Sequence, residues 1–115
     1  MKRVLLIEDN QDMNLIISNM LKTRGYLVDS VETGLAGIIM IRKVDYDIII
    51  TDFRLPDING LDLIEKTVAN SIMAKKILIS AYGNDHVQRR LKELDIDYLD
   101  KPFKNEDLYT KIKSS

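Results

Sequence analysis

The chain has no cysteine, which excludes a disulfide framework and any metal site built on thiolates. Nor does it hold an apolar run near the ~20 residues that a membrane span needs. Neither sign of charge is in excess. Seventeen Lys+Arg stand against 18 Asp+Glu, a formal net charge of −1, and this argues against binding nucleic acid through bulk electrostatics. Partners must then be selected by local patches. Met1 leads directly into Lys2-Arg3 and a strand-like run too short for the apolar core of a secretory signal with its cleavage site. Internal repeats and low-complexity segments are also missing. Together these absences lead us to expect a cytoplasmic domain that contacts neither membrane nor nucleic acid directly.

What the sequence does have is enough apolar material for one core: 45% of 115 residues are hydrophobic, so a single domain over 1–115 is expected. Ile48-Ile49-Ile50 is too short for a helix and is closed by turn residues, the pattern of a central strand buried on both faces. That strand ends at Asp52. Pro56, Asn59 and Gly60 then impose a loop, so Asp52 falls at the carboxyl end of a buried strand, where open α/β sheets place their chemistry.

Val4 to Ile7 is a second continuous apolar run, and it too ends in acid, at Glu8-Asp9. Residues 10–24 repeat apolar side chains with a helical period at Met13, Ile16, Ile17, Met20 and Leu21, and Gly25 is placed to end the helix. Leu15 falls on its far side. Residues 26–31 alternate loosely, as an edge strand does, and Thr33 can cap a helix reaching about Lys43. In that helix Gly34 and Gly37 each cost about 1 kcal/mol relative to Ala, which leaves Leu35, Ile38 and Ile39 to hold it by packing. A third helix over about 61–70 presents Leu61, Ile64 and Val68. Residues 76–80 form the next strand, followed by a helix capped by Asn84 or Asp85 with Val87, Leu91 and Leu94 inward. Asp97 to Asp100 is a short fifth strand, Lys101-Pro102 ends it, and a last helix over 105–113 turns Leu108 and Ile112 inward. Five alternations of strand and helix with right-handed crossovers predict an α/β fold, a five-stranded parallel sheet with helices on both faces.

If strands one and three are neighbours, Glu8, Asp9 and Asp52 converge at one edge of the sheet. Three carboxylates at one point repel one another, and they survive folding only with raised pKa values, a buried cation or a hard divalent metal. An all-oxygen donor set with few protein ligands suits Mg²⁺, which is the preferred answer. Lys101, after the fifth strand, points to the same edge, and Pro102 fixes its turn. Ser80, at the end of strand four, adds a hydroxyl. A carboxylate flanked by Mg²⁺, an ammonium and a hydroxyl is what a phosphoryl acceptor needs, so Asp52 is expected to become an aspartyl phosphate.

Glu8-Asp9, Asp52 followed by Leu55-Pro56 and Gly60, Ser80-Ala81, and Tyr98-Leu99-Asp100-Lys101-Pro102-Phe103 resemble the receiver domain of bacterial two-component response regulators. The resemblance runs from Lys2 to about Lys113 with the motifs in the family's order. It implies a flavodoxin-like, doubly wound sheet of order 2-1-3-4-5. It further implies that Asp52 is the phosphoacceptor, that Glu8, Asp9, Asp52 and the backbone carbonyl of Arg54 form the Mg²⁺ site, and that Lys101 contacts the phosphoryl group. Ser80 and Tyr98 resemble the switch pair, which would pass the signal to the face of helix four, strand five and helix five. A sensor histidine kinase or phosphotransfer protein is the implied donor, and an effector domain or target protein the implied recipient. A phosphorylation-dependent dimer is compatible with it, and the chain is either a stand-alone receiver or one cut from a longer regulator. Leu15, on the solvent side of helix one near the acid edge, is then a candidate contact for the phosphodonor. The implied role is that of a regulator, not an enzyme acting on other substrates.

Three departures from the family pattern stand out. Glu8 replaces the commoner Asp, Ser80 replaces the commoner Thr, and Leu94-Asp95 occupies the place where Gly-Ala usually ends the fourth helix, so a left-handed residue there would strain Leu or the turn must change. Of the competing readings, a Mg-dependent phosphohydrolase needs a second Asp two residues after the first, where this chain has Arg54. A nucleotide or flavin binder is opposed by the acidic run Glu8-Asp9-Asn10-Gln11-Asp12, which sits where phosphate would lie. A receiver-like scaffold that never takes phosphate would typically have lost Asp52 or Lys101, and both are present.

Overall fold

The structure, a computed structural model, describes residues 1–81 and 85–113, with the side chains of residues 85 and 86 not described. Its elements run β1 (Arg3–Ile7), α1 (Gln11–Thr23), β2 (Leu27–Val31), α2 (Gly34–Lys43), β3 (Ile48–Asp52), α3 (Gly60–Thr67) continued by a 3₁₀ turn (Val68–Asn70), β4 (Lys75–Ser80), α4 (Asp85–Glu93), β5 (Asp97–Asp100) and α5 (Asn105–Lys113). The strands are all parallel in the order β2-β1-β3-β4-β5, as expected.

Side-chain alternation along the strands divides the core in two. Leu5, Ile7, Ile49 and Leu78 face a layer made by Ile41 of α2, Leu61, Leu63 and Ile64 of α3, and Val87 and Leu91 of α4. Val4, Leu6, Ile48, Ile50, Ile77 and Ile79 face Ile17, Met20 and Leu21 of α1 and Leu108 and Ile112 of α5. Every residue of β3 is buried, which is why its first three positions are an unbroken apolar run. Because the strands are parallel, their carboxyl ends share one edge. Ile7 pairs with Thr51, Asp52 with Ile79 and Ser80 with Asp100, and this register brings the residues that follow each strand together.

Several helix details depart from expectation. Ile16 is exposed, and α1 instead buries Asn14 and Ser18 beside Ile17, Met20 and Leu21. Asn10 caps α1 by accepting from the Met13 N–H at 3.0 Å. In α2, Leu35 and Ile39 are exposed, 62% and 45%, and do not hold the helix. The glycines do. A Cβ on Gly37 would lie 2.5 Å from Ile7 Cδ1, and one on Gly34 would collide with Ile58 Cγ2, so the helix approaches the sheet and the β3–α3 loop along its glycine face. Val68 is also largely exposed, and the inward third-helix residue that periodicity missed is Leu63.

The end of α4 resolves the difficulty at Leu94-Asp95. The left-handed residue is Asp95 (φ 57), not Leu94. Ile96 N–H donates to Leu91 O at 2.9 Å and Asp95 N–H to Lys92 O at 3.2 Å, the two bonds of a Schellman close. Gly25 (φ 91) closes α1 with the same pair of bonds, from Tyr26 to Leu21 and from Gly25 to Lys22. Aspartate tolerates this backbone better than leucine does, because its short polar side chain can hydrogen-bond locally. The expected caps of α4, Asn84 and the side chain of Asp85, lie outside what is described.

Candidate functional site

The carboxyl edge of the sheet holds an open cavity of about 270 Å³ lined by Glu8, Asp9, Asn10, Asp52, Arg54, Ala81 and Lys101. Four segments, at the ends of β1, β3, β4 and β5, supply it. Glu8 and Asp9 follow β1, and the Glu8 N–H still bonds Val31 O at 3.0 Å, which extends the β1–β2 pairing by one residue. Asn14, buried on α1, donates its side-chain amide to Glu8 O at 3.0 Å and to Val31 O at 3.3 Å, so the first helix grips the acidic turn from beneath. Sequence reasoning missed Asn14. A polar residue inside an apolar helical stripe was the available signal.

Asp52 ends β3. Behind it, Phe53 N–H donates to Ile79 O at 2.8 Å, and Phe53 O accepts from Gly60 N–H at 2.7 Å, folding the start of α3 back against the strand end. This return passes so close that a Cβ on Gly60 would collide with the carbonyl oxygen of Asp52 and come 2.8 Å from Leu78 Cδ1. Only glycine allows the loop to double back there. Asn59 then caps α3 through the Asp62 N–H at 2.8 Å.

Lys101 follows β5 and reaches across the edge. Its Nζ donates to Asp52 Oδ2 at 2.9 Å and to Glu8 Oε1 at 3.4 Å. Burial works to lower the Lys101 ammonium, but hydrogen bonding and charge from Asp52, joined by Glu8, outweigh it and raise its pKa. Glu8 is only 2% exposed. Burial first, then the charge and hydrogen bonding of Asp52, push its carboxyl up to about 7, against which Lys101 and the Asn10 N–H pull weakly. A partly buried cation and a raised pKa, two of the three ways to relieve carboxylate repulsion, are therefore both in place.

The third way also fits these residues. One carboxylate oxygen from each of Glu8, Asp9 and Asp52 lies within 4.8 Å of the others. Opposite ligands of an octahedral Mg²⁺ at about 2.1 Å stand about 4.2 Å apart, so this spacing suits one hard cation with small adjustment. Arg54 lines the same cavity. Ser80 is buried at the end of β4, and its carbonyl oxygen accepts from Lys101 N–H at 3.0 Å and from the half-buried Tyr98 hydroxyl at 3.3 Å. Leu15 is exposed on α1, one turn in from its start, and lines a separate shallow groove with Gln11 and Lys22.

Comparison with known proteins agrees with this geometry. The sequence model of the response regulator receiver domain family matches residues 4–113. Among curated proteins, the transcriptional regulatory protein CusR of Escherichia coli (strain K12) is 30% identical over 115 residues, covering 97% of this chain and 50% of CusR. The cell cycle transcriptional regulator CtrA of Caulobacter vibrioides is 31% identical over 113 residues, covering 96% of this chain and 48% of CtrA. The chain thus spans about half the length of the curated relatives it matches. Among solved structures, a CheY-like response regulator receiver domain protein from Methanospirillum hungatei JF-1 superposes with a TM-score of 0.93 at 28% identity, over 98% of this chain and 91% of that one. No helix among the described residues is long and apolar enough to cross a membrane.

Proposed function

The chain belongs to the response regulator receiver domain family, the non-enzymatic signalling modules of two-component systems, and from that premise we propose that it is regulated by phosphoryl transfer to Asp52. The observation that carries this reading is the convergence on Asp52 of the Lys101 ammonium, 2.9 Å from Oδ2, and of the Glu8 and Asp9 carboxylates. An Asp52 oxygen attacks the phosphorus of the donor in line, the new O–P bond forming as the bond to the donor's leaving group breaks. Lys101 is already hydrogen-bonded to the attacking carboxylate and pairs with a phosphoryl oxygen once transfer begins. Glu8, Asp9, Asp52 and the Arg54 carbonyl would hold Mg²⁺, which supplies charge neutralisation at the phosphoryl oxygens when bound. In this reading Ser80 bonds the phosphoryl group, and Tyr98 responds to movement of Ser80 and carries the change to the α4-β5-α5 face.

The donor is a sensor histidine kinase or a phosphotransfer protein in the cytoplasm, and Leu15 contributes to its docking. Receiver domains pair with histidine kinases, and the curated relatives are longer regulators, which supports an output through an effector domain or target protein. Residues 1–115 act as one receiver domain in this reading. Intact mass after incubation with Mg²⁺ and acetyl phosphate tests it. Wild type should gain one phosphoryl group and Asp52→Asn none, because the amide is nearly isosteric but a poor nucleophile. Equal uptake by the variant would sink the assignment.

A further inference from the structure

The loop between β3 and α3 is tied down at both ends and at one point in its middle. Its ends are the Phe53 bonds to Ile79 and Gly60 and the Asn59 cap of α3. Its middle is held by Asp57. The two carboxylate oxygens of Asp57 accept from the N–H groups of Gly34 and Leu35, both at 2.8 Å, 23 and 22 residues away in sequence. These are the first two N–H groups of α2, whose third, that of Ala36, is already taken by Thr33 Oγ1 at 3.2 Å. Beside them Ile58 presses on Gly34 so closely that a Cβ there would collide with it. Asp57 is therefore a cap contributed by a distant loop, and its carboxylate joins that loop to α2 by two hydrogen bonds.

The helix has its own cap in Thr33, so a second, remote one is surplus to starting α2. The loop gains more from it. Arg54 lies three residues before Asp57 and lines the acid cavity. Between them stands Pro56, whose φ is fixed by its ring, so few soft dihedrals separate the Asp57 anchor from the Arg54 carbonyl. The bonds to Leu35 and Gly34 also hold the Asp57 carboxyl below its ordinary range, which keeps the tether charged and favourably placed at a helix N-terminus.

We propose that Asp57 is a positioning residue for the divalent-cation site, pinning residues 54–57 to the N-terminus of α2 so that the Arg54 backbone oxygen is held toward Glu8, Asp9 and Asp52. This rests on the proposed function, in which that oxygen is a Mg²⁺ ligand. Groups that orient a metal ligand typically change affinity by about 10–100-fold when removed. A backbone oxygen loosened rather than lost belongs at the low end of that range.

The test is Mg²⁺ titration by calorimetry of wild type, Asp57→Ala, Asp57→Asn and Thr33→Ala, with urea unfolding of each metal-free protein. Asp57→Ala should weaken Mg²⁺ by about tenfold. Asp57→Asn, whose amide can accept only one of the two bonds, should fall between it and wild type. Thr33→Ala weakens the same helix end without touching the loop, so it should lower the urea midpoint and leave Mg²⁺ affinity alone. At saturating Mg²⁺, phosphorylation of Asp57→Ala by acetyl phosphate should return to the wild-type rate. Equal Mg²⁺ affinity in Asp57→Ala and wild type, or equal weakening by Asp57→Ala and Thr33→Ala, would overturn the inference while leaving the proposed function intact. Wild type that takes up no Mg²⁺ would overturn both.

Discussion

Replacing Gly60 with alanine sets two physical effects against each other at the back of Asp52. Alanine at the start of α3 offers at most about 1 kcal/mol of helix propensity. Against it, the new methyl lands on the Asp52 carbonyl oxygen, a backbone atom that already accepts from Thr51 Oγ1 at 3.0 Å and sits next to the Phe53–Ile79 bond. Overpacking typically costs about 1–3 kcal/mol, and a neighbour that cannot rotate away belongs in the upper half of that range. Relief requires the Gly60–Phe53 bond to lengthen, a further loss of about 1 kcal/mol. The net expectation is destabilisation by about 2–3 kcal/mol, or a urea midpoint lower by about 1 M for a domain of this size. Two other glycines calibrate the reasoning. A Cβ on Gly37 meets the tip of the Ile7 side chain at 2.5 Å, which can give, and the mid-helix gain of about 1 kcal/mol should leave Gly37→Ala near neutral. Gly25→Ala has nothing within 4 Å but must hold φ near 91, for about 1–2 kcal/mol. Urea unfolding followed by circular dichroism ranks the three, with the phosphorylation rate as a second readout for Gly60→Ala. A Gly60→Ala midpoint at or above that of wild type, or a smaller loss than Gly37→Ala shows, would refute the argument.

The remaining predictions concern the site and its surroundings. Because the Glu8 carboxyl is raised from 4.5 to about 7 in the fold, the metal-free native state binds more protons than the unfolded chain between those values, so stability should fall by about 3 kcal/mol as pH rises through that window. Glu8→Gln should remove that slope in urea midpoints measured from pH 4.5 to 8, and a slope unchanged in the variant would show that another group carries it. Ser80→Ala should still accept phosphate but switch incompletely: moving an equilibrium from about 1:99 to 99:1 takes roughly 5.5 kcal/mol, and one hydrogen bond to a charged group, about 1.5–3 kcal/mol, is only a share of it. Amide NMR of Tyr98 and α4 with a phosphoryl mimic checks this, and full, identical shifts in wild type and variant would count against the coupling. Leu15→Asp should slow transfer from the cognate kinase and leave acetyl phosphate labelling unchanged; equal loss with both donors would point to a folding defect instead.

The sheet and the acid edge were legible because both are written in short-range patterns. Apolar runs end abruptly at Glu8 and Asp52, and parallel strands separated by helices must bring those ends together, so the Lys101 bridge could be expected before it was seen. The helix faces were less legible where a contact depends on residues far away. Gly34 and Gly37 look like defects by propensity, yet they are the buried face of α2, because Ile7 and Ile58 need the room. Leu35 and Ile39 look like anchors and are exposed for the same reason. Asn14 and Asp57 are polar residues whose partners are backbone groups of other elements, and no local pattern marks such bonds. At the end of α4 the uncertainty was one residue of register, settled by which of Leu94 and Asp95 tolerates a left-handed backbone.

The carbonyl oxygen of Ser80 has two lone pairs, and both are engaged, one by the Lys101 amide and one by the Tyr98 hydroxyl. The two bonds differ in what releases them. Rotation of the Tyr98 ring breaks the hydroxyl bond and leaves the β4–β5 ladder whole, whereas displacement of the Ser80 backbone breaks both. The Lys101 amide proton therefore exchanges with solvent only when the strand end itself parts, and its exchange rate separates strand opening from ring rotation. Two motions that look alike in the side chain of Tyr98 are thus kinetically distinct at the neighbouring amide, on the slow timescale that hydrogen exchange reads.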